Sequence, residues 1–489
     1  MTANAGESLA SLAESVLSEM EATEAVGRGW LEAPVSNGAP PAYNVVICGA
    51  GLSGLGIAFG LRRRGVRGVI VLDENPRGSE GPWVTSARMK TLRSPKHLAG
   101  LDFGIPSLTA RAWYQAAFGA DSWQSLDKIG RQDWMGYLTW YRDVTGTEVL
   151  NGTRLTGIRH PESHGGQLLE LDIEDGSGSR QLLCRRLVLA TGMEGCGGPH
   201  VPAEVRALPK SLWSHSCERR DAGFLAGKTV AVLGASTSGF DWAVAALEAG
   251  AARVTLLGRS RRLPRTEVLD WSNFPGFLVG YADLPDEMRW SFARRYFALK
   301  PPPTQDQYDR AVNHPNFELL LGSPVIAAAC SNDRVELETA GGLLEADHLL
   351  LGTGYAFDLA RRPELATLTE GMVLWRDRLA WPDETAFDRQ IGAHPYLGQA
   401  FEFTPSGPEH AWINRVHLFN GGALPSLGPI SNGVTGIKYG LPRIVDGVVK
   451  ALFAEESGRF LTELAGYCHA HFDPRGRDRT DDNGEEARS

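Results

Sequence analysis

Three glycines near the start of the chain are spaced as in a phosphate-binding turn. Gly49, Gly51 and Gly54 form the pattern G-x-G-x-x-G directly after the apolar run 45–48. In such a turn one glycine allows the tight bend, one lets the backbone approach a pyrophosphate, and one lets the next helix pack against the strand. That helix is predicted to begin at Ser53, and the free N–H groups at its amino end would face the phosphates.

An acidic residue follows this turn at the distance expected for a dinucleotide site. A second buried strand is predicted over 68–72, and it ends at Asp73, 19 residues after Gly54. A carboxylate at this place accepts hydrogen bonds from the hydroxyl groups of a ribose. No lysine followed by serine or threonine ends the turn, so the pattern is not a triphosphate-binding P-loop. We therefore predict a dinucleotide site; the alternative is a glycine-rich loop in an ordinary α/β domain.

A second turn of the same kind follows in the middle of the chain. Gly234, Ser236 and Gly239 form the pattern G-x-S-x-x-G, so serine replaces the second glycine. Serine is small and still fits such a turn, although its side chain slightly hinders the approach of the backbone to a phosphate. Two neighbouring hydroxyl groups are additional candidate donors to phosphate, those of Thr237 and Ser238.

The second unit carries positive charge where the first carries an acid. Its second strand, predicted over 254–257, is followed by Arg259 and Arg261. An arginine at this place matches the 2′-phosphate of a ribose, which a carboxylate would repel. The pattern therefore favours NADPH over NADH; the alternative is a solvated basic loop.

Further candidate cofactor contacts lie near the ends of the strands around the two turns. One strand closes in Ala-Thr-Gly at 190–192, and a later strand closes in Gly-Thr-Gly at 352–354. Small residues at a strand end let the backbone lie against a cofactor. A Gly-Pro-Trp sequence and several basic residues follow the first unit; the alternative for the basic residues is a solvated loop. The candidates are Trp83, Arg88, Thr191, Thr353, Gly354 and Asn420.

The elements that position these residues indicate one unit inserted into another. Short alternating strands over 147–188 predict a β-meander, and the two similar strand ends lie before the two crossings between the units. We therefore predict an α/β fold with two Rossmann-like dinucleotide-binding domains, the second inserted into the first. The aromatic-rich segment 264–315 is predicted to be irregular, either a substrate loop or a subunit contact.

Composition excludes several classes of function. The chain has 489 residues, enough for two or three domains, and its net charge of −9 argues against nucleic acid as a partner. The six cysteines form no C-x-x-C pair, which removes a dithiol redox centre and a cysteine metal site, and suggests a cytoplasmic setting. No apolar run of about 18 residues is present, so no membrane contact is expected.

The order of these motifs resembles that of the two-dinucleotide-domain flavoprotein monooxygenases. The motifs are G-x-G-x-x-G, Gly-Pro-Trp, Ala-Thr-Gly, the second glycine motif with its arginine, and Gly-Thr-Gly-Tyr, and the resemblance covers about 43–450. This class includes flavin-containing monooxygenases, Baeyer–Villiger monooxygenases and amino-acid N-hydroxylases. The resemblance implies that the first turn binds FAD and the second binds NADPH.

His215 and Ser216 match part of a signature of this class, F-x-G-x-x-x-H followed by serine or threonine. The phenylalanine, the first glycine and the aromatic residue after the histidine are absent. By resemblance, His215 would organise nicotinamide or linker contacts, and we take both residues as candidate catalytic residues. The alternative for His215 is a histidine satisfied within the core.

The activity implied by the resemblance is oxygenation of a small organic substrate. NADPH would reduce FAD, and the reduced flavin would react with O2 to form a C4a-(hydro)peroxide that oxygenates the substrate. N-hydroxylation of an amine or amino acid is the favoured reaction. The alternatives are a Baeyer–Villiger reaction, an NADPH oxidoreductase that inserts no oxygen, and a redox-sensing protein that binds dinucleotides without turnover.

The same resemblance gives a division into domains. We expect an N-terminal helix and linker over 1–42, a first FAD-binding part over 43–204, an NADPH-binding domain over 205–340, a second FAD-binding part over 341–470, and a disordered tail over 471–489. No metal is expected, and the chain could form a homodimer.

Overall fold

The computed structural model describes residues 3–23, 29–34, 40–98, 100–160, 166–379, 385–431, 433–469 and 471–472. The predicted disordered tail therefore lies outside the described residues, apart from 471–472. Among the described residues, no helix combines the length and the apolar character needed to cross a bilayer.

Strands and helices alternate along most of the chain. The strands, in chain order, are β1 (Ala42–Cys48), β2 (Val69–Asp73), β3 (Val149–Asn151), β4 (Arg154–Arg159), β5 (Leu169–Asp175), β6 (Gly178–Leu189), β7 (Gly197–Pro199), β8 (Trp213–His215), β9 (Thr229–Leu233), β10 (Arg253–Gly258), β11 (Phe317–Leu321), β12 (Val325–Ser331), β13 (Arg334–Thr339), β14 (Gly342–Ala346), β15 (His348–Leu351), β16 (Tyr355–Phe357) and β17 (Val416–Leu418). The α-helices are α1 (Ala3–Ala22), α2 (Leu52–Arg63), α3 (Ala110–Phe118), α4 (Ser122–Ser125), α5 (Arg131–Val144), α6 (Thr237–Glu248), α7 (Val268–Ser272), α8 (Pro275–Gly280), α9 (Asp286–Ala298), α10 (Gln305–Val312), α11 (Ala366–Thr369), α12 (Trp375–Arg378), α13 (Ala386–Gly392), α14 (Leu424–Leu427) and α15 (Ile437–Ala465).

The first sheet combines a parallel Rossmann-like half with an antiparallel meander. Its strand order is β3-β2-β1-β6-β5-β4, and β17 also pairs with β6. The long strand β6 joins the two halves: its first part pairs with β5 in antiparallel fashion, and its last part pairs with β1 and β17 in parallel. Strands β4, β5 and β6 form the predicted meander, whereas β3, the first strand expected in it, pairs in parallel with β2. The meander delivers the small residues after β6 to the carboxyl edge of the parallel half.

The second sheet is entirely parallel, with the order β11-β10-β9-β15-β8. The antiparallel strands β12, β13 and β14, which lie between β11 and β15 in the chain, form a separate small sheet. Because β15 pairs with β9 and β8, the second sheet extends past residue 340, the boundary predicted for this domain. Two Rossmann-like sheets in one chain confirm the α/β fold class.

Close helix packing holds the first turn in place. Gly56 and Gly60 on α2 let α15 approach closely, since an added Cβ would lie 2.6 Å from Leu441 and 2.7 Å from Val445.

The expectation that 264–315 is irregular is wrong, because α7 to α10 lie there. Aromatic side chains spaced for packing, such as Phe277 and Tyr281, are buried in the main core cluster and stabilise these short helices.

Candidate cofactor and active site

The first glycine turn has the geometry of a dinucleotide cradle. Gly49 has a φ of +103°, and an added Cβ there would lie 2.4 Å from the carbonyl oxygen of Ala190. An added Cβ at Gly54 would lie 1.8 Å from the carbonyl oxygen of Gly49. At Gly51, by contrast, an added Cβ meets no atom nearer than the Cα of Gly81, at 3.9 Å. The protein itself thus requires two of the glycines, and the third leaves open space for a ligand.

A cavity of about 450 Å³ opens in front of this turn. Its size suits a cofactor site. Six of the predicted cofactor residues line it, namely Gly49, Gly51, Ser53, Asp73, Trp83 and Thr191. The indole N–H of Trp83 is buried and has no hydrogen-bond partner among the described residues, so a donor is available to a ligand. Turn, cavity and free donor together fit FAD.

Asp73 holds the turn and retains acceptor capacity. The residue is 6% exposed, and burial raises the pKa of its carboxyl group. Its carboxylate accepts hydrogen bonds from the backbone N–H of Ala50 at 2.8 Å and from the backbone and side chain of Asn75 at 2.8 and 2.9 Å. Two carboxylate oxygens offer about four lone-pair sites, so about one acceptor site remains for a ribose hydroxyl.

Arg88 and Asn420 are not among the residues that line this cavity. The guanidinium of Arg88 donates to the carbonyl oxygens of Glu218 and Arg220, and it lies 4.7 Å from the ring of Trp242. Arg88 therefore connects the first unit to the second. Asn420 is 1% exposed and donates to the hydroxyl of Thr191 at 3.1 Å. Asn420 therefore supports Thr191, which lines the cavity.

His215 is also absent from the cavity lining, and both of its ring nitrogens are engaged. Nδ1 accepts from the backbone N–H of Cys217 at 3.2 Å, so Nε2 carries the proton and donates to the carbonyl oxygen of Gly354 at 3.0 Å. Burial lowers the pKa of His215 to about 4, which keeps the ring neutral. These contacts join β8 to the segment after β15. They favour the alternative of a satisfied core histidine.

Ser216 and Thr353 likewise contribute to the crossings between the units. The backbone N–H of Ser216 donates to Leu351 at 2.9 Å, and its carbonyl oxygen accepts from the indole of Trp242 at 3.2 Å. The hydroxyl of Thr353 donates to the carbonyl oxygen of His200. Gly354, next in the chain, has a φ of +77°, which only glycine adopts without strain.

The second glycine turn repeats the geometry of the first. Gly234 has a φ of +116°, and an added Cβ would lie 2.4 Å from the carbonyl oxygen of Gly352. At Gly239 it would lie 1.7 Å from the carbonyl oxygen of Gly234. Ser236 precedes α6 with a φ of −116°, an ordinary extended conformation. The hydroxyl-bearing residues after it are Thr237, which is buried, and Ser238, which is partly exposed.

Positive charge collects beside this second turn. Arg259 and Arg261 are exposed at the carboxyl end of β10. Burial lowers the pKa of Lys300, and the nearby Arg259 lowers it further. Burial, followed by Arg206 and Arg259, lowers the pKa of His200. Within the described ranges no carboxylate forms an ion pair with Arg259, Arg261 or Lys300, so these cations are free for a phosphate.

Sequence reasoning missed several residues that line the first cavity. They are Glu74, Asn75, Cys217, Arg219, Tyr355, Arg362 and Glu364. Tyr355 directly follows the Gly-Thr-Gly strand end, which was a usable signal. Arg219 and Arg362 come from distant parts of the chain, and only the folded arrangement brings them to the turn.

Comparisons with known proteins agree with a dinucleotide-binding fold. The profile of the pyridine nucleotide-disulphide oxidoreductase family matches residues 43–273. A FAD-dependent urate hydroxylase from Xanthomonas campestris pv. campestris is 38% identical over 467 residues, which cover 95% of this chain and 97% of that protein.

Solved structures of N-hydroxylases share the fold. Ornithine hydroxylase from Pseudomonas aeruginosa superimposes with a TM-score of 0.67 at 16% identity, covering 84% of this chain and 100% of that chain. Ornithine N-hydroxylase from Kutzneria sp. 744, solved with reduced FAD, NADP+ and L-ornithine, gives a TM-score of 0.65 at 17% identity, with coverages of 84% and 100%. With its two dinucleotide turns and its urate hydroxylase relative, the chain belongs to the two-dinucleotide-domain flavoprotein monooxygenases, enzymes that use FAD and NADPH.

Proposed function

We propose that this enzyme uses NADPH and O2 to hydroxylate urate or a closely related oxidised purine. The observation that carries the proposal is the 38% identity to a FAD-dependent urate hydroxylase, which extends over 95% of this chain. The N-hydroxylases are 16–17% identical and share the fold alone. Their similarity gives no reason to prefer an amine or amino acid, the substrate class favoured by the sequence.

The aromatic side chains of the helical insertion suit a flat heterocycle. Trp271 is 57% exposed, its ring lies 5.3 Å from that of Phe277, and Phe277 lies 5.4 Å from Tyr281. Tyr281 packs against Gly428, three residues before Ser431, which lines the cofactor cavity. The exposed ring of Trp271 is thus linked through two buried rings to the segment that precedes Ser431. Planar purines stack on exposed rings, so Trp271 is the candidate for contact with such a substrate, and the buried Phe277 and Tyr281 support it.

The residues of the chain bind and orient the cofactors. When bound, reduced FAD supplies the electrons that activate O2, and NADPH supplies the electrons for FAD. Gly51, Asp73 and Trp83 would hold FAD, and Arg259 would hold the 2′-phosphate of NADPH. The buried residues of the cavity wall, among them Cys48, Leu72 and Leu189, would limit the access of water to the flavin.

The state of the thiols argues against a disulfide reductase. All six cysteines lie in described segments and are free. Cys48 and Cys217 line the cavity, and burial raises the pKa of each thiol to about 12. Thiol–disulfide exchange requires a thiolate, which is scarce at neutral pH when the pKa is that high. This supports an enzyme that oxygenates its substrate over one that reduces disulfides.

The domain division and cellular setting are also proposals. We assign the NADPH-binding unit to about 205–352, so that it includes β15, with FAD-binding parts on both sides. Free thiols are usual in the reducing cytoplasm, which supports a cytoplasmic enzyme. Size-exclusion chromatography would test the expected homodimer.

The decisive assay measures NADPH oxidation, O2 consumption and product mass together. Purified protein would be supplied with urate, xanthine, L-ornithine, L-lysine, cadaverine or a cyclic ketone. Urate should accelerate NADPH oxidation and yield a product heavier by one oxygen, and xanthine tests whether a closely related oxidised purine is also accepted. If ornithine or a ketone alone gave an oxygenated product, or if urate only released hydrogen peroxide, urate hydroxylation would be excluded.

A further inference from the structure

Arg219 belongs to the second unit but reaches into the cofactor site of the first. It lies four residues after the end of β8 and lines the cavity in front of the first turn. Its guanidinium forms an ion pair with Glu74 at 3.0 Å and a hydrogen bond with the side-chain oxygen of Asn75. Both partners directly follow β2, at the edge where a ribose would bind.

A continuous chain of hydrogen bonds connects this arginine to the glycine turn. The backbone N–H of Ala50, inside the turn, donates to Asp73 at 2.8 Å. The opposite oxygen of that carboxylate accepts from the side-chain N–H of Asn75 at 2.9 Å, and the side-chain oxygen of Asn75 accepts from Arg219. Asn75 is 6% exposed and is held from both sides. Movement of the second unit would therefore disturb the turn itself.

The surroundings of Arg219 indicate that its charge faces the cavity. Glu194 lines the same cavity; burial raises the pKa of its carboxyl group, and Arg219 and Arg362 oppose that rise. Arg362 is already engaged by Glu364 at 2.6 Å. The guanidinium of Arg219 has five N–H donors, and its bonds to Glu74 and Asn75 leave others for an anionic ligand on the side of the second unit.

We propose that Arg219 binds the adenosine diphosphate part of FAD and, through Glu74 and Asn75, makes FAD binding and the placement of the NADPH-binding unit one coupled event. FAD then does more than fill a pocket in the first unit. It stabilises the contact across which the nicotinamide must reach the flavin. Loss of FAD loosens the contact of the second unit with the first, and loss of Arg219 weakens the binding of FAD. The proposal concerns FAD, and it does not depend on urate as the substrate.

The chain offers a matched control for this arginine. Arg77 forms an ion pair with Asp143 inside the first unit and outside the cavity lining. The side chains of that pair are 55% and 53% exposed, against 51% and 54% for Arg219 and Glu74. Exposed pairs of this kind contribute little to stability on their own. A larger effect at Arg219 would therefore come from the ligand.

The experiment titrates FAD into apoprotein and follows the quenching of flavin fluorescence. Arg219→Ala should raise the Kd for FAD by roughly tenfold or more, because a charge-assisted contact is lost. Arg77→Ala should change it less than twofold, and both apoproteins should melt at the wild-type temperature. Arg219→Gln, which retains hydrogen-bonding groups without the charge, should give an intermediate Kd and provides a second, well-folded variant.

Limited proteolysis gives a second readout that is independent of turnover. FAD should protect the linker that leads from the first unit into β8, residues 205–212, where Arg206 and Lys210 are exposed, from tryptic cleavage in the wild type and in Arg77→Ala. It should protect this linker much less in Arg219→Ala. An Arg219→Ala protein that binds FAD within twofold of wild type, with the linker equally protected, would overturn the proposal. Neither readout involves a substrate, so failure here and failure of urate hydroxylation are separate results.

Discussion

The two glycine turns share a backbone and differ in what surrounds them. Gly49 and Gly234 both have positive φ, and an added Cβ at either would lie 2.4 Å from a carbonyl oxygen of the neighbouring strand end. The first turn faces a lined cavity that contains the buried Asp73. The second turn lies beside exposed arginines, with Arg259 in the place of the acid.

This difference matches the different duties of the two nucleotides. A cofactor that remains bound through many turnovers is served by a buried site with fixed acceptors. A nucleotide that must enter and leave in each cycle is served by an exposed site whose charge attracts it from solution. The serine in the second turn fits the same contrast. It slightly hinders the approach of the backbone to a phosphate, which is tolerable where the nucleotide need not be retained tightly.

The largest expected effect comes from adding a methyl group to the first turn. In Gly54→Ala the new Cβ would meet the carbonyl oxygen of Gly49, 1.8 Å away in the present backbone, so the turn must distort. We expect a loss of about 3 kcal/mol or more in the free energy of unfolding, together with loss of FAD. Denaturant titration and flavin content are the measurements. Gly239→Ala is the counterpart in the second turn, and it should abolish NADPH binding while the purified protein stays yellow.

Exchanging the middle residues tests whether the ligand, and not the protein, requires glycine. Gly51→Ser copies the second turn into the first, and space exists for its Cβ. The apoprotein should lose less than about 0.5 kcal/mol of stability, whereas FAD affinity should fall roughly tenfold to a hundredfold, or about 1.4–2.8 kcal/mol. Ser236→Gly should change NADPH affinity by less than roughly tenfold. Equal FAD affinity in Gly51→Ser and wild type would contradict the assignment of the cavity.

Removing the arginine after β10 tests the assignment of the second turn. Arg259→Ala should raise the KM for NADPH by the equivalent of about 1–3 kcal/mol, because a charge-assisted contact to the 2′-phosphate is lost. The KM for NADH should stay unchanged. Arg265→Ala, a nearby exposed arginine, is the control. A parallel rise for both nucleotides would mean that Arg259 does not recognise the 2′-phosphate.

A smaller effect on turnover is expected at the crossing between the units. The pKa of His215 in the folded protein is about 4, below its ordinary value of 6.5. Protonation thus favours the unfolded chain, and stability falls as the pH drops from 6.5 toward 4. Urea titrations should show a shallower acid loss in His215→Gln. The kcat of His215→Gln should follow the wild-type pH profile above pH 6.5. If the variant instead lost an ionisation that the wild-type profile shows, His215 would be assigned a role in proton transfer.

The sequence predicted those features that depend on local spacing. Both glycine turns, Asp73 at the end of β2 and Thr191 after β6 follow from residues that are close in the chain, and all are found at a turn or in the cavity lining. Spacing of this kind is set by the geometry of one strand, one turn and one helix. For this reason it can be recognised without knowledge of the fold.

Contacts across the two units could not be predicted in this way. Arg88 was expected at the cofactor because it is basic, but its guanidinium donates hydrogen bonds to the carbonyl oxygens of Glu218 and Arg220, 130 and 132 residues away. Arg219 joins Asn75 across 144 residues. His215 matched a signature in its residue type, yet burial leaves its ring neutral, and the ring bonds to the N–H of Cys217 and to the carbonyl oxygen of Gly354, 139 residues away. Such outcomes depend on which surfaces meet after folding.

The most direct test of the account is an anaerobic titration of the purified protein with NADPH, followed by the visible absorbance of bound flavin. We predict a yellow protein with one FAD per chain, whose absorbance bleaches at lower concentrations of NADPH than of NADH. A colourless protein that takes up no FAD, or a bound flavin that NADPH leaves oxidised, would contradict the claim that the two turns hold an electron donor and its acceptor.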